Sequence, residues 1–258
     1  MTNDYLQSTF GLDGKTAIVT GASRGLGQGM AIGLAQAGAN IVAVSTRKDN
    51  LEGTCAEITA LGRTVVPLSC DQTKPEQIES VIQQTQANFD SIDILINNAG
   101  TIRRAPAHEY SNDDWQTVID TNLNGVFRFC RGVGKIMLDQ KSGKIINIAS
   151  LLSFSGGITV PAYAASKGAV MQLTKALANE WAESNIQVNA IAPGYFSTDN
   201  TENLRADPER FAAISARIPA GTWGTPKDLA GAAIFLSSAG SDYVNGHTFL
   251  VDGGWMAR

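Results

Sequence analysis

The stretch Lys15-Thr-Ala-Ile-Val-Thr-Gly-Ala-Ser-Arg-Gly-Leu-Gly27 decides how the rest of the chain is read. Lys15 to Thr20 is a short β-prone run with an apolar centre, which predicts a buried strand. Glycines follow at 21, 25 and 27, and then small residues from Gln28 to Ala37 with helical character. Glycines at a strand-to-helix turn let the backbone bend tightly and come close to a phosphate. The helix N-terminus adds free N–H donors and the positive end of its dipole. Alone, a glycine cluster says little, because loops use glycine freely. Placed between a strand and a helix, it predicts a dinucleotide-phosphate loop built from Gly21, Ser23, Arg24, Gly25, Leu26 and Gly27.

Outward from this loop, strand-like runs alternate with helical ones. Strands are expected at 15–20, 41–45, 64–68, 92–96, 144–149, 186–191 and 247–251. Helices are expected at 28–37, 49–61, from about 75, and at 112–139, 162–183 and 226–238. Such alternation builds βαβ units. The expected fold is an α/β three-layer sandwich with a central parallel seven-stranded sheet and helices on both faces. One domain over 1–258 accommodates it. Residues 194–225 are too long for a simple connection and rich in helix formers, so they are expected to form a lid.

The stretch 144–181 carries the chemistry. A strand ends on Ser150, a Gly-rich loop follows, and Pro161 suits the first turn of a helix. Tyr163 and Lys167 stand four apart and share one helical face. A phenol with a pKa of about 10 is a poor base at neutral pH, and a neighbouring ammonium favours the phenolate. A serine hydroxyl beside them can hold a reacting oxygen.

The end of the second strand should select the cofactor. Readers of NAD commonly place an acid there for the ribose 2′-hydroxyl. Here stand Ser45, Thr46 and Arg47, with no acid before Asp49. Arg24 and Arg47 offer planar donor forks to a 2′-phosphate, so NADP(H) is favoured and NAD(H) is possible. The alternative is that both arginines are solvated loop residues. Asp71, past the third strand, can accept from an adenine amine or close a turn. Asn97, Ala99 and Gly100 end the fourth strand, where small residues let a cofactor lie on the sheet edge. Asn122 falls inside a predicted helix against its propensity, which suggests a polar task such as ordering a water. Pro193, Gly194, Phe196 and Thr198 follow the sixth strand, at the rim expected for the nicotinamide.

Composition narrows the class. Twenty basic and 24 acidic residues leave a net charge of −4, so a nucleic-acid partner is not expected. No apolar run reaches the 18 or so residues of a membrane span. The opening MTNDYLQSTF lacks a charged segment before an apolar core, so no leader is expected. Three widely spaced cysteines suit a reducing, cytoplasmic location. With only two histidines there is little for a zinc site or a histidine triad.

TGASRGLG, NNAG, Asn122, Ser150, Tyr163-x-x-x-Lys167 and PGYFST occur in the order seen in the short-chain dehydrogenase/reductase family, which the chain resembles over 10–258. Ser150 stands thirteen residues before Tyr163, as in that family. The resemblance implies a Rossmann-like fold, usually a homotetramer. It implies that Tyr163 is the general acid/base and that Lys167 lowers its pKa and holds the nicotinamide ribose. Ser150 then orients the substrate oxygen, and Asn122 anchors a proton-relay water. Segments 97–104, 179–201, 204–210, 217–231, 241–246 and 251–258 resemble the family's dehydrogenases of 2-dehydro-3-deoxy-D-gluconate. The substrate implied is a sugar acid. Arg104, with Arg103 beside it, and Arg205 are candidates for its carboxylate, and Tyr195 and Asn200 for its hydroxyls. Ser150 and Tyr163 would hold the reacting oxygen. Three alternatives stay open: a reductase of the unsaturated uronate from alginate, a ketoacyl carrier-protein reductase docking on Arg103, Arg104 and Arg131, and a non-catalytic cofactor-sensing protein. Trp255, near the C-terminus, is expected at a subunit interface.

Overall fold

The computed structural model describes residues 3–257, the side chains of Asn3 and Asn200 excepted; residues 1 and 2, on which the leader expectation partly rests, lie outside them. Helix α1 (Asn3–Phe10) was not anticipated. Then come β1 (Thr16–Thr20), α2 (Gly25–Gln36), β2 (Asn40–Ser45), α3 (Glu52–Ala60), β3 (Val65–Ser69), α4 (Pro75–Asn88) and β4 (Ile94–Asn97). The second half runs α5 (Asn112–Ile119), α6 (Gly125–Gln140), β5 (Gly143–Ile148), α7 (Pro161–Trp181) and β6 (Ile186–Pro193). Two helices, α8 (Glu202–Arg205) and α9 (Pro208–Arg217), precede α10 (Pro226–Ser237) and β7 (Thr248–Val251).

All seven strands run parallel in the order β3-β2-β1-β4-β5-β6-β7. The period-2 alternation of strand side chains explains why both faces are covered. Ala17, Val19, Ile41, Ala43 and Ile96 face one way and pack with Met30 and Leu34 of α2 and Leu229 and Leu236 of α10. Ile18, Val42, Leu95, Ile145 and Val188 face the other way and meet Val81 of α4, Phe129 of α6 and Val170 of α7. Small residues let α2 and α10 approach closely: a Cβ on Gly33 would lie 2.6 Å from that of Ala230. The strand order reverses between β1 and β4, so a crevice opens beyond the carboxyl ends of these strands.

The helix expected over 112–139 is broken. Ser111 caps α5 through its hydroxyl, but Asp120–Asn124 forms a π-helical turn before α6 begins. A π turn inserts a residue into the helical register and commonly accompanies a functional site. Residues 194–225 fold as a short turn at Asp199–Thr201 followed by α8 and α9, with Asp207 capping α9.

Candidate active site

A single cleft of about 1590 Å³ gathers the ends of β1, β2, β4, β5 and β6 against α7 and residues 194–217. Its floor is the glycine loop. Gly21 and Gly25 have φ of +66° and +57°, which L side chains rarely adopt. A Cβ on Gly27 would lie 2.1 Å from the Gly21 carbonyl oxygen, so only glycine fits there. The Thr20 hydroxyl accepts from the N–H groups of Asn98 and Ala99, each at 3.0 Å. Asn98 Nδ2 in turn donates to the carbonyls of Thr20 at 3.0 Å and Gly21 at 3.2 Å. The two loops are thereby locked together. No side chain caps the N-terminus of α2, so its first N–H groups remain open to an anion. This bare helix start above a glycine cradle fits the pyrophosphate of a dinucleotide.

Ser150 leaves β5, and its hydroxyl accepts from the Leu152 N–H at 3.2 Å. The same hydroxyl bonds the phenol of Tyr163, which α7 brings alongside. Lys167, one turn on, is only 4% exposed. Its ammonium donates to the Ile148 carbonyl at 2.6 Å and lies 5.7 Å from the centre of the Tyr163 ring. Burial pushes the lysine down to about 8. The phenol of Tyr163 is raised by burial, against the pull of the Ser150 hydroxyl and the Arg104 guanidinium. Lys167 thus stands beside the phenol's ring and is itself anchored by the Ile148 carbonyl.

Asn122 is tied down by its own hydrogen bonds. Its Oδ1 accepts from the Thr101 N–H at 2.8 Å, and its Nδ2 donates to the Thr101 carbonyl at 2.9 Å and the Ser166 hydroxyl at 3.2 Å. The side chain is fully buried and off the cleft wall, and these bonds use both amide hydrogens and one of the two lone pairs on Oδ1. It positions the loop after β4 against α7, and this pairing accompanies the π turn.

The sequence model of the short chain dehydrogenases matches residues 15–209. The chain belongs to that family. It is an oxidoreductase acting on CH–OH groups. A 2-dehydro-3-deoxy-D-gluconate 5-dehydrogenase of Pseudoalteromonas atlantica is 55% identical over 251 residues, covering 96% of this chain and 98% of the relative. Two solved structures are similar throughout. An Agrobacterium tumefaciens protein assigned as a 2-deoxy-D-gluconate 3-dehydrogenase, with bound NADP, is 50% identical at a TM-score of 0.89, covering 97% of this chain and 99% of that one. A gluconate 5-dehydrogenase of Burkholderia cenocepacia, in complex with NADP and tartrate, is 41% identical at a TM-score of 0.94, covering 98% and 99%.

Most of the residues expected at the site line this dehydrogenase's cleft, including Ser23, Leu26, Thr46, Gly100, Pro193 and Thr198. Arg24 reaches the opposite wall, where its guanidinium lies 3.3 Å from the Asp199 carboxylate. Arg47 Nη2 donates to Asn50 Oδ1 at 3.1 Å, and the Ser45 hydroxyl donates to the Arg47 carbonyl. Asp71 closes a turn: one oxygen accepts from the N–H and hydroxyl of Thr73 at 2.9 and 2.7 Å. Asn97 lies beneath the cleft, donating to Asn147 Oδ1 at 2.9 Å. Gly194 allows a close pass by Asp252, whose Cα would meet a Cβ at 2.6 Å. Phe196 is buried and bridges to Gly224.

On the substrate side, Arg104 and Tyr195 line the cleft. Arg104 has no ion-pair partner among the described residues, whereas Arg103 is paired with Asp114 at 3.3 Å. Arg205 is misplaced as a carboxylate ligand: it lies off the cleft and donates to the Thr198 carbonyl at 3.1 Å. The Asn200 side chain lies outside the described residues. Trp255, expected at an interface, is 8% exposed within the monomer, packed with Leu151 and Ile218. It lines the cleft together with Arg210 and Arg217. These three were missed, and no local pattern marks them.

Proposed function

We propose that this dehydrogenase moves hydride between NADP(H) and the hydroxyl or keto group of a sugar acid, 2-dehydro-3-deoxy-D-gluconate or a close relative. The observation that carries the reading is a cleft that joins the Ser150–Tyr163 pair to three arginines, Arg104, Arg210 and Arg217, none of them with a carboxylate partner among the described residues. The names of the similar proteins, and the NADP in two of their structures, support it. Gly21, Gly25, Gly27 and the open start of α2 would hold the cofactor's pyrophosphate. Arg24, Thr46 and Arg47 would hold its 2′-phosphate, and Lys167 the nicotinamide ribose. The bound nicotinamide supplies or takes up the hydride. NAD(H) remains a second acceptor, since nothing at the end of β2 blocks a 2′-hydroxyl.

Ser150 orients the substrate oxygen, and Tyr163 moves its proton. Raised by burial, the phenol holds its proton at neutral pH and so is suited to protonate a carbonyl undergoing reduction. In the oxidative direction a charge nearby must favour the phenolate, and Arg104 stands in the right place. Arg131, over the Phe127 ring at 5.5 Å, and the paired Arg103 give little support to a carrier-protein dock. We further infer a cytoplasmic homotetramer. Unpaired Cys55, Cys70 and Cys130 suit that location. Phe127 on α6 and Trp115 on α5 are 41% and 42% exposed and suit subunit contacts.

The test is a panel of NADPH and NADH against 5-keto-D-gluconate, the unsaturated uronate from alginate and an acetoacetyl thioester, with 2-dehydro-3-deoxy-D-gluconate assayed using the oxidised cofactors. Sugar acids should give the highest kcat/KM. A thioester turned over faster, or cofactor binding without any turnover, would overturn the proposal.

A further inference from the structure

A sugar acid oxidised at its fifth carbon carries its carboxylate four carbons from the reacting centre. A single cation beside Tyr163 cannot serve both ends. Two further arginines, Arg210 and Arg217, line the same cleft from α9. Arg217 is the better fixed. Its guanidinium carbon sits 4.1 Å from the centre of the Trp255 ring, well inside the range of a cation–π contact, while the residue stays open to solvent. The indole beneath it is itself rigid. Asp252 accepts from the N–H groups of Gly254 and Met256 at 2.8 and 2.9 Å, which pins the turn carrying Trp255. Trp255 shares an apolar cluster with Leu151, the residue directly after Ser150. Arg217 is thus built onto the catalytic loop through one tryptophan.

We propose that Arg217, seated on Trp255, anchors the carboxylate at the far end of the sugar acid while Arg104 serves the end where hydride moves. This rests on the sugar-acid reading and assigns the residue that recognises the acid. A guanidinium seated over a ring can still offer the N–H donors along its edge to a bidentate carboxylate. No hydrogen bond or ion pair occupies that edge among the described residues. Tyr195, whose ring lies 4.7 Å from that of Trp255, adds a phenol to the same pocket. Burial raises that phenol, against the charges of Arg217 and then Arg210, so both arginines face it. Arg210 has no comparable platform, and Arg205 is turned away onto the Thr198 carbonyl.

The experiment compares 2-dehydro-3-deoxy-D-gluconate with its carboxamide in wild type, Arg217→Gln and Arg217→Lys. The ratio of kcat/KM for acid over amide should fall about tenfold or more in Arg217→Gln, through KM, since a charge-assisted bond is lost. Arg217→Lys keeps the charge and a stem along the indole but loses the fork, so an intermediate fall is expected. It also guards against a glutamine variant that fails to fold. Gluconate binding followed by calorimetry should weaken in the same order. If the ratio is unchanged in the lysine and glutamine variants, or acid and amide fall together, Arg217 is not the anchor. A wild type inactive on every sugar acid would instead sink the reading on which this inference rests.

Discussion

The ammonium of Lys167 donates to the carbonyl oxygen of Ile148 at 2.6 Å while 96% of the residue's surface is covered. Burial holds this lysine at about 8, against the ordinary 10.5. The folded state therefore disfavours the charged form, and between these two pH values the unfolded chain binds more protons. Stability from this group should rise as pH climbs from about 8 towards 10.5, with the penalty fully present below 8. Urea unfolding of wild type and Lys167→Met across that range checks it. Wild type should gain on the variant as pH rises; a constant difference would show that the ammonium is not desolvated.

Tyr163→Phe should keep cofactor binding and lose the proton donor. General acid–base catalysis contributes about 10²- to 10⁴-fold, so kcat should fall by at least the lower figure. Cofactor titration by fluorescence, beside steady-state rates, separates the two effects. Turnover near that of wild type would remove Tyr163 from the mechanism.

Cofactor choice should respond to the basic residues around the 2′-position. Arg47→Asp should shift preference from NADP(H) towards NAD(H) by about tenfold, the size of one lost charge-assisted bond. Asp199→Asn frees Arg24 from its ion pair. An exposed pair is worth only about 0–1 kcal/mol, so NADPH should bind at most a few-fold tighter while NADH hardly changes. Equal gains for both cofactors would mean that Arg24 does not meet the 2′-phosphate.

Gly27→Ala tests the cradle. The added methyl would lie 2.1 Å from the Gly21 oxygen and 2.4 Å from Asn98 Nδ2. Backbone cannot yield cheaply, so a loss of about 1–3 kcal/mol or more is expected, together with loss of cofactor binding. Denaturant unfolding and cofactor titration read both, and a fully stable, cofactor-binding variant would contradict the packing.

Assembly can be read from mass. Sedimentation at micromolar concentration should show a tetramer, and Phe127→Glu on α6 should reduce it to smaller species. A wild-type monomer would remove the interface reading, already weakened by the burial of Trp255.

The seven strands and the two chemical motifs were legible because their signals are local. A buried strand, a glycine turn and a helix start occupy adjacent residues from Thr16 to Gln36. Tyr163 and Lys167 share a helical face through their spacing alone. The break between α5 and α6 was hidden, because Asn122 acts through the backbone of Thr101 and the hydroxyl of Ser166 rather than through its own neighbours. Helix α9 shows the same limit. Sequence marks 194–225 only as a stretch rich in helix formers, and the fold alone turns Arg210 and Arg217 to the cleft and leaves Arg205 outside it. The tail residue Trp255 looked like a surface aromatic until β7 carried it back beside Leu151. The electrostatics belong to the same class: sequence put an ammonium near a phenol, whereas only burial in the fold lowers that ammonium's pKa to about 8. Short-range geometry follows from residue order; burial and long-range contact exist only once the chain has packed.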